Sequence, residues 1–98
     1  MSSHIKISSP FIKKYSHENY TASGNYTEFV PQADAYKRRV SVIIQNQGTG
    51  PVFFNCNGAA PGIIIAAGFT LSFDNYNGSI WLKSTSGSET VHVAIAEA

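Results

Sequence analysis

Apolar and polar positions alternate from Tyr36 onward. Val40, Val42 and Ile44 are interleaved with Arg39, Ser41, Ile43 and Gln45, the period of two that marks a half-buried strand. Asn46 to Pro51 supplies turn chemistry, with two glycines and a proline that cannot donate to a ladder. A second strand is predicted at Val52–Cys56 and a short apolar one at Ile63–Ile65, with Asn57-Gly58 and Pro61-Gly62 between them. Phe69–Phe73 alternates again, Asp74–Gly78 turns, Ser79–Lys83 forms the next strand, and Ser84–Ser88 reads as a flexible hairpin loop. Val91, Val93 and Ile95 then alternate with His92, Ala94 and Ala96. Short strands of this spacing, punctuated by Gly, Asn and Pro, are the signature of an all-β sandwich or barrel. A seventh strand around Tyr26–Val30 would close the set. The expectation is an antiparallel, jelly-roll-like β-sandwich of six to seven short strands over residues 37–98.

Residues 1–36 read differently. They hold Phe11, Tyr15, Tyr20, Tyr26, Phe29 and Tyr36 but few aliphatic residues, and no period persists. Such a stretch cannot build its own core, yet it is too aromatic for ordinary disorder. It is expected to be an extended N-terminal arm whose rings dock on its own domain or on a neighbouring subunit. The other reading open at this point makes it the first strand or two of the same sandwich.

A third of the residues are Ser, Thr, Asn or Gly, which disfavour helix interiors and strengthen the all-β reading. With 98 residues the chain fits one domain. The formal net charge is +1, too balanced for wrapping duplex nucleic acid by counterion release. That charge is split, however: residues 1–39 carry six Lys and Arg against three acids, whereas residues 40–98 carry Lys83 against Asp74, Glu89 and Glu97. A basic arm suits an acidic partner surface, and Lys37-Arg38-Arg39 at a strand start is expected to keep an edge soluble. One cysteine, Cys56, excludes an internal disulfide framework and a multi-cysteine zinc site. The start, MSSHIKISSPF, has no apolar core behind Lys6, so no secretory signal is expected. No run approaches the roughly 18 apolar residues of a membrane span.

Residues 37–98 resemble a small β-sandwich module of tailed-bacteriophage virion structural proteins. The pieces that carry the likeness are Arg39 to Asn46, Gly48-Thr49-Gly50, Phe53-Phe54, Gly58-Ala59-Ala60, Ile63 to Ala66 and Ala66-Ala67-Gly68. They continue through Phe69 to Phe73, Tyr76 to Trp81, Ser86-Gly87 and Val91 to Glu97. These motifs are architectural rather than catalytic. Similar domains serve as head decoration or cement proteins, head fibres and tail parts. The resemblance implies a capsid decoration protein located in the virion, with the major capsid protein as partner. It also implies self-association, a trimer being favoured, without nucleic acid, membrane or cofactor.

The candidate chemistry is sparse. Cys56, His92 and Asp74 are the one nucleophile–base–acid set available, but nothing around Cys56 resembles a nucleophile elbow or a helix N-terminus that would lower its pKa. No catalytic residue is therefore assigned. His4, His17 and His92 are too dispersed for a sequence-readable metal site. Asp74, Asn75 and Asn77 could offer oxygens to Ca²⁺ but fit an ordinary Asx turn better. Trp81 lies between Ile80 and Leu82 and should face away from the core, as a subunit-interface anchor together with Phe53 or, with Tyr76, as a platform for a sugar ring. Phe11, Tyr15, Tyr20, Tyr26 and Phe29 are the expected capsid-binding residues of the arm. The Asn19, Asn25 and Asn77 sequons are attributed to chance. The alternative function is a tail or fibre component that recognises host-surface glycan or joins tail parts.

Overall fold

In a computed structural model that describes residues 14–33 and 39–97, every regular element is a strand. There are eight: β1 (Lys14–Ala22), β2 (Thr27–Val30), β3 (Arg39–Asn46), β4 (Val52–Asn55), β5 (Ile63–Ile65), β6 (Thr70–Asp74), β7 (Ile80–Ser84) and β8 (Glu89–Glu97). They form two four-stranded antiparallel sheets, sheet A in the order β1-β8-β3-β6 and sheet B in the order β2-β7-β4-β5. Successive strands mostly change sheet, which is the jelly-roll arrangement.

The period of two explains what is buried. On β3, Val42 and Ile44 are wholly buried while Ile43 and Gln45 are exposed. On β7, Ile80, Leu82 and Ser84 point inward, and on β8 Val91 and Val93 do so. These side chains meet Val52, Phe54 and Ile65 from sheet B in one core. Fully burying a side chain of this kind contributes roughly 1.5–3 kcal/mol.

Polar residues tie the two sheets together from inside. Asn46 is fully buried at the end of β3, and its Nδ2 donates to the carbonyls of Gly50 and Ile65, both at 2.8 Å. Its Oδ1 accepts the Gly48 N–H at 2.9 Å. The Gly48-Thr49-Gly50 turn folds around the Glu89 carboxylate, which accepts the Thr49 N–H and the Ser86 hydroxyl, each at 2.8 Å. A Cβ on Gly48 would overlap Glu89 Oε1, and one on Gly50 would lie 2.7 Å from Oε2. Gly48, which also approaches Glu89 Cβ, is therefore required by close approach, whereas at Gly50 only the tip of the Glu89 side chain stands in the way. The bonds from Ser86, Gly50 and Thr49 hold the Glu89 carboxyl below its ordinary pKa.

Of the two readings of residues 1–36, the described part follows the second: residues 14–30 contribute β1 and the expected strand β2, so eight strands of the sandwich lie among the described residues. The β1 signal is weak because the strand lies at an edge, where inward positions are only partly covered and admit Ser16 and Glu18. Two expectations need correcting. Ser84–Ser88 is not a hairpin loop, since β7 and β8 belong to different sheets. Arg39 is not a solvated edge cation. A register shift on β3 turns it inward, where it is 4% exposed and donates to the Gly78 and Pro31 carbonyls. Burial lowers its pKa against the favourable field of Glu97. Phe11, Tyr36, Lys37 and Arg38 lie outside the described residues.

Candidate functional site

The surface divides by charge. Between Arg39 and Asp74 the chain holds no Lys, Arg, Asp or Glu. This stretch builds β3 to β6, including the edge strands β5 and β6 on one side of the sandwich. That side carries Ile63, Ile64 and Phe69, which are 55%, 64% and 67% exposed. Cross-strand pairing sets Ile64 beside Phe53, so the apolar surface continues onto the outer face of sheet B. Lys83 is next across the sheet and spans Phe53 and Tyr26, its Nζ 5.7 Å and 5.5 Å from the two ring centres. Below β5, Phe54, Asn55, Cys56, Pro61, Gly62 and Ile63 line a shallow, largely apolar cleft of about 320 Å³.

Trp81 faces outward from between the buried Ile80 and Leu82, as alternation predicts, but it is only half exposed. The β4–β5 loop lies across it: a Cβ on Gly58 would sit 2.9 Å from its ring. The indole N–H donates to Ser79 Oγ at 3.0 Å, and that hydroxyl donates to the Cys56 carbonyl, also at 3.0 Å. Trp81 thus holds down a loop of its own domain, leaving less of the ring for a sugar or a second subunit. Phe53 remains on the outer face of sheet B, half-buried between Lys83 and Ile64.

The aromatics assigned to the arm separate into distinct environments. Tyr20 packs on Phe29 with ring centres 4.9 Å apart, and both rings lean on the core. Burial and a hydrogen bond to Glu18 push the Tyr20 phenol above its ordinary pKa. Tyr26 crosses the outer face of sheet B, and a Cβ on Gly62 would overlap its hydroxyl. Tyr15 stays 55% exposed on β1. Tyr20, Phe29 and Tyr26 therefore find much of their shelter within their own domain.

The structure does not assemble Cys56, His92 and Asp74. Cys56 is exposed in the β4–β5 loop, Asp74 ends β6, and His92 is on the outer face of sheet A beside Asn19. In the Asp74–Asn77 turn, Asn77 Oδ1 accepts the Arg39 N–H at 2.8 Å, while Asn75 adopts φ 58° and donates its backbone N–H to the Val40 carbonyl. Among the described residues no three His, Cys, Asp or Glu side chains cluster as metal ligands. Sequence reasoning missed two features. One is the charge-free interval, legible by listing where the charges fall. The other is the pairing of His17 with His92, which depends on β1 lying beside β8.

No family model matches the chain, and no curated protein matches it. Among solved structures it is similar to a chain of the Bacillus endospore appendages, described as a novel family of disulfide-linked pili. The two share 18% identity over 97% of this chain and 96% of that one, with a TM-score of 0.63. It is also similar to PirA, at 15% identity over 92% of this chain and all of that one, with a TM-score of 0.50. At these identities the likeness is one of fold, and it places the chain among small β-sandwich modules of the jelly-roll kind.

Proposed function

We propose that this chain is a structural subunit that associates with copies of itself on a larger particle. The observation that carries this reading is the apolar side bearing Ile63, Ile64 and Phe69, whose edge strands carry a single charge, Asp74 at the end of β6. An exposed apolar edge with so few charged guards is a template for association, and a surface with so little charge meets its own copy with little repulsion. The motif residues add support, because Arg39, Asn46, Gly48 and Gly50 are all engaged in holding the sandwich together.

In its finer form the proposal follows the sequence resemblance: the particle is a phage head shell, and the chain decorates and reinforces it. Of the aromatic residues expected to bind the capsid, Tyr15 stays exposed on β1 and would contact the major capsid protein. Self-association through the β5–β6 side would gather copies into a trimer. Apolar burial contributes about 25 cal/mol per Å² before ordering costs, so a few such contacts repeated over a shell stabilise it. Immunogold microscopy of intact particles tests location, with label spread over the head expected. Label confined to a tail would transfer the role to attachment or tail assembly.

A second reading, a subunit of a thin appendage, is favoured by the near full-length fold likeness to the endospore appendage chain and by the exposed Cys56. Non-reducing electrophoresis of native assemblies separates the two. A covalent ladder that collapses with reductant favours the appendage, whereas monomer without reductant favours the coat.

A further inference from the structure

The outer face of sheet A brings together two histidines from distant parts of the chain. His17 is on β1 and His92 on β8, in a register that pairs His17 with Ala94 and Asn19 with His92. The imidazoles are thus diagonal neighbours, with ring centres 5.1 Å apart and planes at 44°. Ala94, opposite His17, presents only a methyl group and leaves room between them. His92 Nδ1 lies 2.5 Å from Asn19 Oδ1. An amide oxygen only accepts, so this contact selects the neutral tautomer with its proton on Nδ1, which leaves the Nε2 lone pair available to a cation.

Metal-bound histidines have this outer arrangement, in which a hydrogen bond at one ring nitrogen fixes the tautomer and frees the other. Two imidazoles bound to one cation at metal–nitrogen distances of about 2.0–2.1 Å, at a tetrahedral angle, have ring centres about 5 Å apart. The observed spacing matches. Across sheet A the two rows run His17, Ala94, Ile43, Ser72 and Asn19, His92, Gln45, Thr70, with no lysine or arginine to repel a cation.

We propose that His17 and His92 form a surface site for a borderline divalent cation, of which Zn²⁺ is the test case, with water in the remaining positions. Imidazole ligands and an open coordination sphere suit Zn²⁺ and Cu²⁺ rather than Mg²⁺ or Ca²⁺. The bound ion clips edge strand β1 to β8, strengthening the outermost ladder of sheet A. This inference is independent of the proposed assembly role.

Calorimetric titration of the full chain with ZnCl₂ at neutral pH, in a Cys56→Ser background that removes the thiol, tests it. One saturable site per chain is expected. His17→Gln, at an exposed position that folding does not need, should weaken that site at least about tenfold. Asn19→Ala removes no ligand and should also weaken it about tenfold, through the lost orientation of His92. Zinc should raise the melting temperature of the parent but not of His17→Gln. The site is refuted if zinc does not bind saturably in the Cys56→Ser chain, or if it binds His17→Gln as tightly as the parent.

Discussion

The two lateral sides of the sandwich handle the same problem in opposite ways. On one side the edges are β1 and β2, which carry Lys14, Glu18 and Glu28. Glu18 faces Val93 in the register and thus lies on the inner side of sheet A, where a charge blocks any strand that might add itself there. On the other side the edges are β5 and β6, where no charge precedes Asp74 and three large apolar side chains meet solvent. One side is guarded and the other is bare, in a single domain with the same inner packing. The guarded side exposes one large hydrophobic residue, Tyr15, among its charges, so the asymmetry supports the proposal that the chain associates through the other side.

Charging the bare side should have the largest effect. Ile64→Lys combined with Phe69→Asp should weaken self-association by at least about 100-fold, read by light scattering across a concentration series. Thermal stability should change little, since neither side chain is buried. Loosening that side from within comes next. Asn46→Ala strands the Gly50 and Ile65 carbonyls and should destabilise the domain by about 3 kcal/mol in urea unfolding. On the guarded side, Phe29→Ala removes the ring that caps Tyr20. Its expected cost is about 2 kcal/mol, below that of a fully buried phenylalanine.

A smaller effect depends on pH. The Glu89 carboxyl is held below its ordinary value, so its contribution to stability is complete above the unfolded value of about 4.3 and is lost as pH falls through the folded value. Glu89→Gln should therefore lower the melting temperature at neutral pH and flatten its decline in acid, which melting curves at graded pH will reveal. Least disruptive is Glu18→Val. It should leave the melting temperature nearly unchanged while promoting association through β1, visible as a second species that the Ile64→Lys, Phe69→Asp pair does not remove.

Strands that alternate apolar and polar residues between clear turn signals were legible in the sequence. β3, β4, β5, β6 and β7 fall within a residue or two of where alternation and turn residues put them, and β8 starts slightly earlier. β1 was hidden because it is an edge strand, exposed along most of its length, which relaxes the demand for apolar residues there. Trp81 was read correctly as outward, yet the loop lying on it was invisible, since Gly58 gives no hint of what it approaches. Arg39 misled for a related reason. A single register shift turns a nominal edge cation into a buried brace, and no local pattern announces the shift.

The placement of β1 also governs how the chain acquires its shape. Among the described residues its ladder partner is β8, with Lys14 opposite Glu97 and Ala22 opposite Glu89. A growing polypeptide therefore carries β1 unpaired until nearly all of the sandwich has left the ribosome. Closing so long a loop is entropically costly and slow, as in all-β domains dominated by non-local pairing. During that interval the inner sheets can form while the flank of β8 waits, and a β1 from another molecule fits there as well as its own. Exchange of this strand between chains is the characteristic error such a topology invites, and its frequency should rise with concentration during refolding.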